Sequence, residues 1–111
     1  MVNSTIQNVS VVGAGFLGSQ IGLQCAAYGL SVTLVDPSEE SRHHSLKTNK
    51  NELERRFSEG LIDESQRTLI LSNLKYMSDL KKGIANAELI IEAIPEDLQE
   101  KRTIFSEIDK L

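Results

Sequence analysis

The chain has 111 residues, 40% of them hydrophobic and 25% charged, which suits one domain with a single core and leaves no room for a second. Its net charge of -4 and pI near 5.1 leave no basic footprint for a phosphate backbone, so nucleic acid is not the expected partner, and no stretch approaches the roughly 20 apolar residues of a membrane span. A lone cysteine, Cys25, forms no internal disulfide, and residues 1–7 lack the pattern of a leader, so the expected setting is soluble, reducing and cytoplasmic.

Residues 6–12 (IQNVSVV) read as a β-branched strand, and the run Gly13-Ala14-Gly15-Phe16-Leu17-Gly18 follows without a gap. Over residues 17–28, Leu17, Ile21, Cys25 and Tyr28 recur at helical spacing, with Gly29 as a left-handed stop. Residues 31–35 (SVTLV) are almost wholly apolar, as in a parallel strand buried on both faces, and Asp36 ends them. Pro37 suits the first turn of a helix running to about Phe57 with Leu46, Leu53 and Phe57 on its apolar face. Gly60 breaks that helix before a second one over 63–71, giving a helical hairpin.

Residues 74–77 suggest a short third strand, with Ser78 capping a brief helix through about Ala85. Residues 89–93 (LIIEA) form a fourth strand, and after Pro95 the residues Leu98, Phe105, Ile108 and Leu111 mark a final helix. The expected fold is α/β: a Rossmann-type, doubly wound parallel sheet in the order 3-2-1-4, with the hairpin inserted between strands 2 and 3. A sheet that stops at the fourth strand leaves residues 89–93 as an apolar edge, through which a homo-oligomer is expected to form.

A G-x-G-x-x-G string alone is weak, but here it opens a helix directly after a strand, and an acidic residue ends the second strand 18 positions after Gly18. Gly13 permits the tight turn, Gly15 lets the backbone approach a diphosphate, and Gly18 lets helix and strand pack closely. The helix N-terminus supplies N–H groups and a dipole for the diphosphate. Asp36 would accept from the adenosine ribose and repel the 2′-phosphate of NADP, which makes NAD the expected cofactor. The nearest following cation, Arg42, falls a turn or more into the next helix, so no phosphate-compensating arginine is evident. The bland alternatives are a ligand-free tight turn for the glycines and a helix cap for Asp36, the latter compatible with ribose binding.

Residues 11–36 and 89–105, the latter LIIEAIPEDLQEKRTIF, resemble the N-terminal domain of 3-hydroxyacyl-CoA dehydrogenases. The second block is the specific one: an E-A-x-x-E segment followed by Lys and then Phe. The resemblance implies that Glu96 and Lys101 lie beside the cofactor, together with Gly13, Ala14, Gly15, Phe16, Leu17, Gly18 and Asp36. It also implies hydride transfer between NAD and the 3-hydroxy or 3-keto group of an acyl-CoA, with the family's Asn-Thr-Ser segment, catalytic histidine and partner glutamate falling after Leu111. Pro95 stands where many members carry a branched aliphatic residue, and this version is also similar to the diketoreductase-type branch. The alternatives are thus a dehydrogenase of a non-CoA keto substrate, or a stand-alone NAD-binding sensor.

In that family the hairpin contacts coenzyme A, and here it carries Arg42, Lys47, Lys50, Arg55 and Arg56. A solvated face balanced by Glu52, Glu54 and Glu59 explains those charges more simply. His43 and His44 lack a ligand set at metal spacing, and Cys25 reads as packing.

Overall fold

Short β-branched strands alternating with helices suit a parallel sheet covered on both faces. The computed structural model, which describes residues 6–94, has this form. Strands β1 (Asn8–Val12), β2 (Ser31–Val35), β3 (Leu74–Met77) and β4 (Leu89–Glu92) make one parallel sheet in the order β3-β2-β1-β4. The order is the one expected, and β2 and β3 have the expected bounds. β1 starts two residues later than residue 6, because the N–H groups of Gln7 and Asn8 donate to Glu88 Oε1 at 2.9 and 3.0 Å. β4 ends one residue early, although the Ala93 N–H still donates to the Val12 carbonyl at 2.9 Å.

Helices α1 (Phe16–Ala27), α2 (Glu39–Ser58), α3 (Glu64–Ser72) and α4 (Leu80–Ile84) complete the described residues, with α2 and α3 forming the hairpin between β2 and β3. Gly22 of α1 lies on Leu34, and Gly83 of α4 lies on Val35. Consecutive strand residues point to opposite faces, so α1 and α4 cover opposite sides of the sheet. Val9, Val11, Val32, Leu34 and Leu53 are at most 1% exposed and form the centre of the core.

The helices depart from the expected faces in an instructive way. Leu17 of α1 and its C-cap Tyr28 are 55% and 78% exposed, and the core side is instead Gly18, Ser19, Gly22, Leu23 and Ala26. Small residues are required there because a Cβ on Gly22 would sit only 3.1 Å from the Leu34 side chain. Ile21 and Cys25 do pack partly against the core, and burial pushes the Cys25 thiol up, away from nucleophilic use.

α2 begins at Glu39 rather than Pro37, since Ser38 is the N-cap and its hydroxyl accepts from the Ser41 N–H. Its buried face is Ser45, Asn49 and Leu53, one per turn, while Leu46 and Phe57 are exposed. Phe57 instead lies under the Arg67 guanidinium, 4.1 Å from the ring centre, across the hairpin. The α4 cap is Asp79, not Ser78: its carboxylate accepts from the Lys82 N–H at 3.1 Å. The helix expected after Pro95 lies outside the described residues.

Candidate dinucleotide site

The carboxyl ends of four parallel strands bring the glycine loop, Asp36 and Ala93 to one edge of the sheet, the edge at which open α/β sheets take ligands. Gly13 leaves β1 with φ of 108°, and an added Cβ would lie 3.0 Å from the Ala93 carbonyl oxygen. A Cβ on Gly18 would run into the Gly13 carbonyl. Both glycines are therefore required by the protein's own packing.

Gly15 is different. Its φ of -76° and ψ of -164° suit any residue, and an added Cβ would have nothing within 4 Å. Neither backbone strain nor packing demands glycine there. What the missing Cβ leaves is an open cradle in front of the loop, bordered by Phe16 and Leu17, which expose 76% and 55% of their surface.

The N-termini of the helices point the same way. Ser38, Asp63 and Asp79 each accept a backbone N–H as side-chain caps of α2, α3 and α4. α1 has Gly15 as N-cap, no side-chain cap bond, and no acidic residue in its first turn. Its orphan donors and the positive end of its dipole face the cradle without a counter-group among the described residues.

Asp36, directly after β2, joins the loop to the second strand. Its Oδ2 accepts from the Ala14 N–H and its Oδ1 from the Ser38 N–H, both at 2.9 Å. An ionised carboxylate has about four lone-pair sites, so two remain for a vicinal diol. Ala14 is fully buried, its N–H committed to Asp36 and its carbonyl accepting from Ser19 Oγ at 3.3 Å. It shapes the loop from below.

Sequence gave no hint of the polar seam under this loop. The buried Ser19 and Ser45 hydroxyls share a hydrogen bond at 2.6 Å, and the buried Asn49 donates from Nδ2 to the Tyr76 hydroxyl at 3.2 Å. Ser45 also engages that phenol, whose burial pushes it above its usual range against the pull of Asn49 and Ser45. The seam ties α1, α2 and β3 to the back of Ala14. Ser45 and Asn49 repeat at i, i+4, but their partners are too distant in sequence for the pattern to announce itself.

Arg42 lies about a turn into α2, as expected. Its side chain folds back, and Nη1 donates to the Asp36 carbonyl at 2.8 Å. The other hairpin arginines are engaged as a solvated face would have them. Arg55 pairs with Glu52 and Glu59, Arg56 with Glu52, and Arg67 with Glu54, all between 2.7 and 2.9 Å. Hydrogen bonds from Arg55 and Arg56 hold the Glu52 carboxyl down at about 2. Glu96 and Lys101 lie outside the described residues. No helix among the described residues is long and apolar enough to cross a membrane.

A strand-glycine loop-helix unit closed by an acidic residue at the end of β2, on a 3-2-1-4 parallel sheet, defines a Rossmann-type dinucleotide-binding domain. Residues 8–111 match the family model described as "3-hydroxyacyl-CoA dehydrogenase, NAD binding domain". The chain belongs to the 3-hydroxyacyl-CoA dehydrogenase family. It is 36% identical to the 3-hydroxybutyryl-CoA dehydrogenase of Mycobacterium tuberculosis over 99% of this chain and 38% of that protein. With the mitochondrial hydroxyacyl-coenzyme A dehydrogenase of Rattus norvegicus it shares 34% identity over 95% of this chain and 35% of the relative.

Among solved structures, M. tuberculosis FadB2 superposes with a TM-score of 0.89 at 36% identity, covering 96% of this chain and 37% of that one. A diketoreductase, described as catalysing dual chemistry on dicarbonyl compounds, gives 0.86 at 33% identity, covering 96% and 38%. The chain thus spans just over a third of the length of the relatives it matches.

Proposed function

We propose that this domain binds NAD along the carboxyl edge of its sheet and presents the nicotinamide to an acyl-CoA substrate in an enzyme that interconverts 3-hydroxy and 3-keto groups. The single observation that carries the binding mode is Gly15, where neither the backbone nor the packing of the described residues calls for glycine and the open space leaves room for a diphosphate. In this reading Gly13, Ala14 and Gly18 shape the loop, and Gly15, Phe16 and Leu17 border the diphosphate on the uncapped start of α1. Asp36 takes the adenosine ribose. Glu96 and Lys101 stand beside the cofactor on the strength of the family resemblance. Bound NAD supplies hydride transfer at the nicotinamide, and this chain supplies its position and orientation.

The acyl-CoA assignment rests on relatives named as 3-hydroxybutyryl-CoA and hydroxyacyl-coenzyme A dehydrogenases. A second reading, reduction of a dicarbonyl that carries no CoA, is favoured by the diketoreductase likeness and by Pro95. A cytoplasmic, homo-oligomeric oxidoreductase of fatty-acid metabolism fits the acidic pI, the lone cysteine and the apolar β4 edge.

Calorimetric titration with NAD tests the binding mode. Saturable binding by the unsubstituted protein, lost in Gly15→Ala without loss of thermal stability, is the expected result. Equal NAD binding by both proteins overturns the placement of the diphosphate. For the substrate, turnover of acetoacetyl-CoA against a free β-diketone by the gene's complete product separates the two readings.

A further inference from the structure

Among the four arginines of the described residues, Arg55, Arg56 and Arg67 each pair with a glutamate, and Arg42 alone has no carboxylate of the described residues within ion-pair distance. Arg42 is also half-buried, and its Nη1 is fixed 2.8 Å from the Asp36 backbone carbonyl. A guanidinium has five N–H donors, and one is used here. A cation is therefore held against the residue whose carboxylate faces the adenosine ribose, with donors to spare. It rises from the first turns of α2, whose positive dipole end lies on the same side. The opposing charges nearby are Glu39, which pairs with His43 at 3.5 Å, and Glu40.

An arginine next to the ribose is the partner that a 2′-phosphate requires. Holding one there while keeping Asp36 gives the site both halves of the NAD/NADP discrimination at once. We propose that Arg42 is a specificity-determining residue of the adenosine end: the preference for NAD is carried by the Asp36 charge alone, and Arg42 stands ready to take the 2′-phosphate of NADP once that charge is removed. The proposal rests on the placement of the ribose at Asp36.

The test is titration of the protein with NAD and NADP in four forms: unsubstituted, Asp36→Ser, Asp36→Ser with Arg42→Gln, and Asp36→Ser with Arg42→Lys. Glutamine keeps an N–H for the Asp36 carbonyl but no charge, and lysine keeps the charge. Asp36→Ser is expected to raise the NADP-to-NAD affinity ratio about tenfold or more, the scale of one charge-assisted phosphate contact. Arg42→Gln is expected to abolish most of that gain and Arg42→Lys to retain part of it. The NADP affinity of Asp36→Ser should also fall with added salt more steeply than its NAD affinity.

A gain that persists in full with Arg42→Gln overturns the proposal and leaves the ribose at Asp36. A ratio unmoved by Asp36→Ser overturns the ribose placement itself, and the proposal with it. Should the serine variant fail to fold, Asp36→Asn removes the charge while keeping an acceptor for the Ala14 N–H, and the same outcomes apply.

Discussion

Asp36 Oδ2 and the Ala14 N–H are 2.9 Å apart, which latches the residue at the end of β2 to the middle of the glycine loop. Two of the carboxylate's acceptor sites hold Ala14 and Ser38, which leaves two for the ribose in the proposed binding mode. Asp36→Ala should therefore reduce stability by about 2 kcal/mol as well as weaken NAD binding by about tenfold or more, since two N–H groups lose a charged partner. Asp36→Asn should recover part of the stability and little of the binding. Chemical denaturation beside calorimetry measures both, and a stable Asp36→Ala protein with unchanged NAD affinity would remove Asp36 from both roles.

The three loop glycines should separate under substitution by alanine. Gly15→Ala has open space and an ordinary backbone, so its stability is expected to stay within about 0.5 kcal/mol of the original or rise slightly, while NAD affinity falls at least about tenfold. Gly18→Ala places a Cβ against the Gly13 carbonyl, and the fold itself should suffer, by about 2 kcal/mol or more. Thermal melting with and without NAD distinguishes the two. If Gly15→Ala melts as low as Gly18→Ala, glycine at 15 serves the fold and not a ligand.

These contrasts mark where sequence was sufficient. β2 and β3 were legible to the residue because a buried parallel strand is a short apolar run between breakers, and the glycine loop was legible because its spacing and context travel together. Leu17 and Tyr28 misled because apolar periodicity marks the core only when large residues face it, whereas α1 lies so close to β2 that Gly22 and Ala26 do. α2 misled for a related reason: Ser45 and Asn49 are buried polar residues, whose partners Ser19 and Tyr76 come from other elements. The place of Arg42 on α2 is legible in the sequence, but a side chain that turns back toward the cap leaves no periodic signal.

The seam beneath the loop is expected to behave as a unit. Ser45 is wholly buried, and Ser45→Ala leaves Ser19 without that partner at a cost of about 1–3 kcal/mol. Tyr76→Phe takes the acceptor from Asn49 Nδ2 and should cost a similar amount. Since Ser45 also engages Tyr76, the double variant should lose less than the sum of the two. Urea midpoints of the four proteins give the coupling, and strict additivity would show that the two bonds act separately.

The hairpin should carry an acid-sensitive contribution. Glu52 is held at about 2 by Arg55 and Arg56, below its ordinary value of 4.5. A carboxyl lowered by folding stabilises the fold fully above its ordinary range, and that contribution is lost as pH falls from about 4.5 toward 2. Because Arg55 is half-exposed, the contribution is held to about 1 kcal/mol or less. Melting curves of the protein and Glu52→Gln are expected to differ at pH 6 and converge near pH 2, with the gap at pH 6 narrowing in 1 M salt. A gap that persists at pH 2 would assign it to packing instead of charge.

β4 carries the last prediction. It pairs with β1 and with no other strand among the described residues, and its Leu89 and Ile90 are 42% and 40% exposed. An apolar strand with one side unpaired by any strand among the described residues offers backbone donors and apolar contact to a second copy. The 111-residue chain is therefore expected to associate with itself at high micromolar concentration, and Ile90→Lys to suppress this without lowering its melting temperature, since a charge on an exposed edge opposes pairing. Sedimentation velocity across a concentration series decides: a monomer at every concentration would mean that the β4 edge does not drive association.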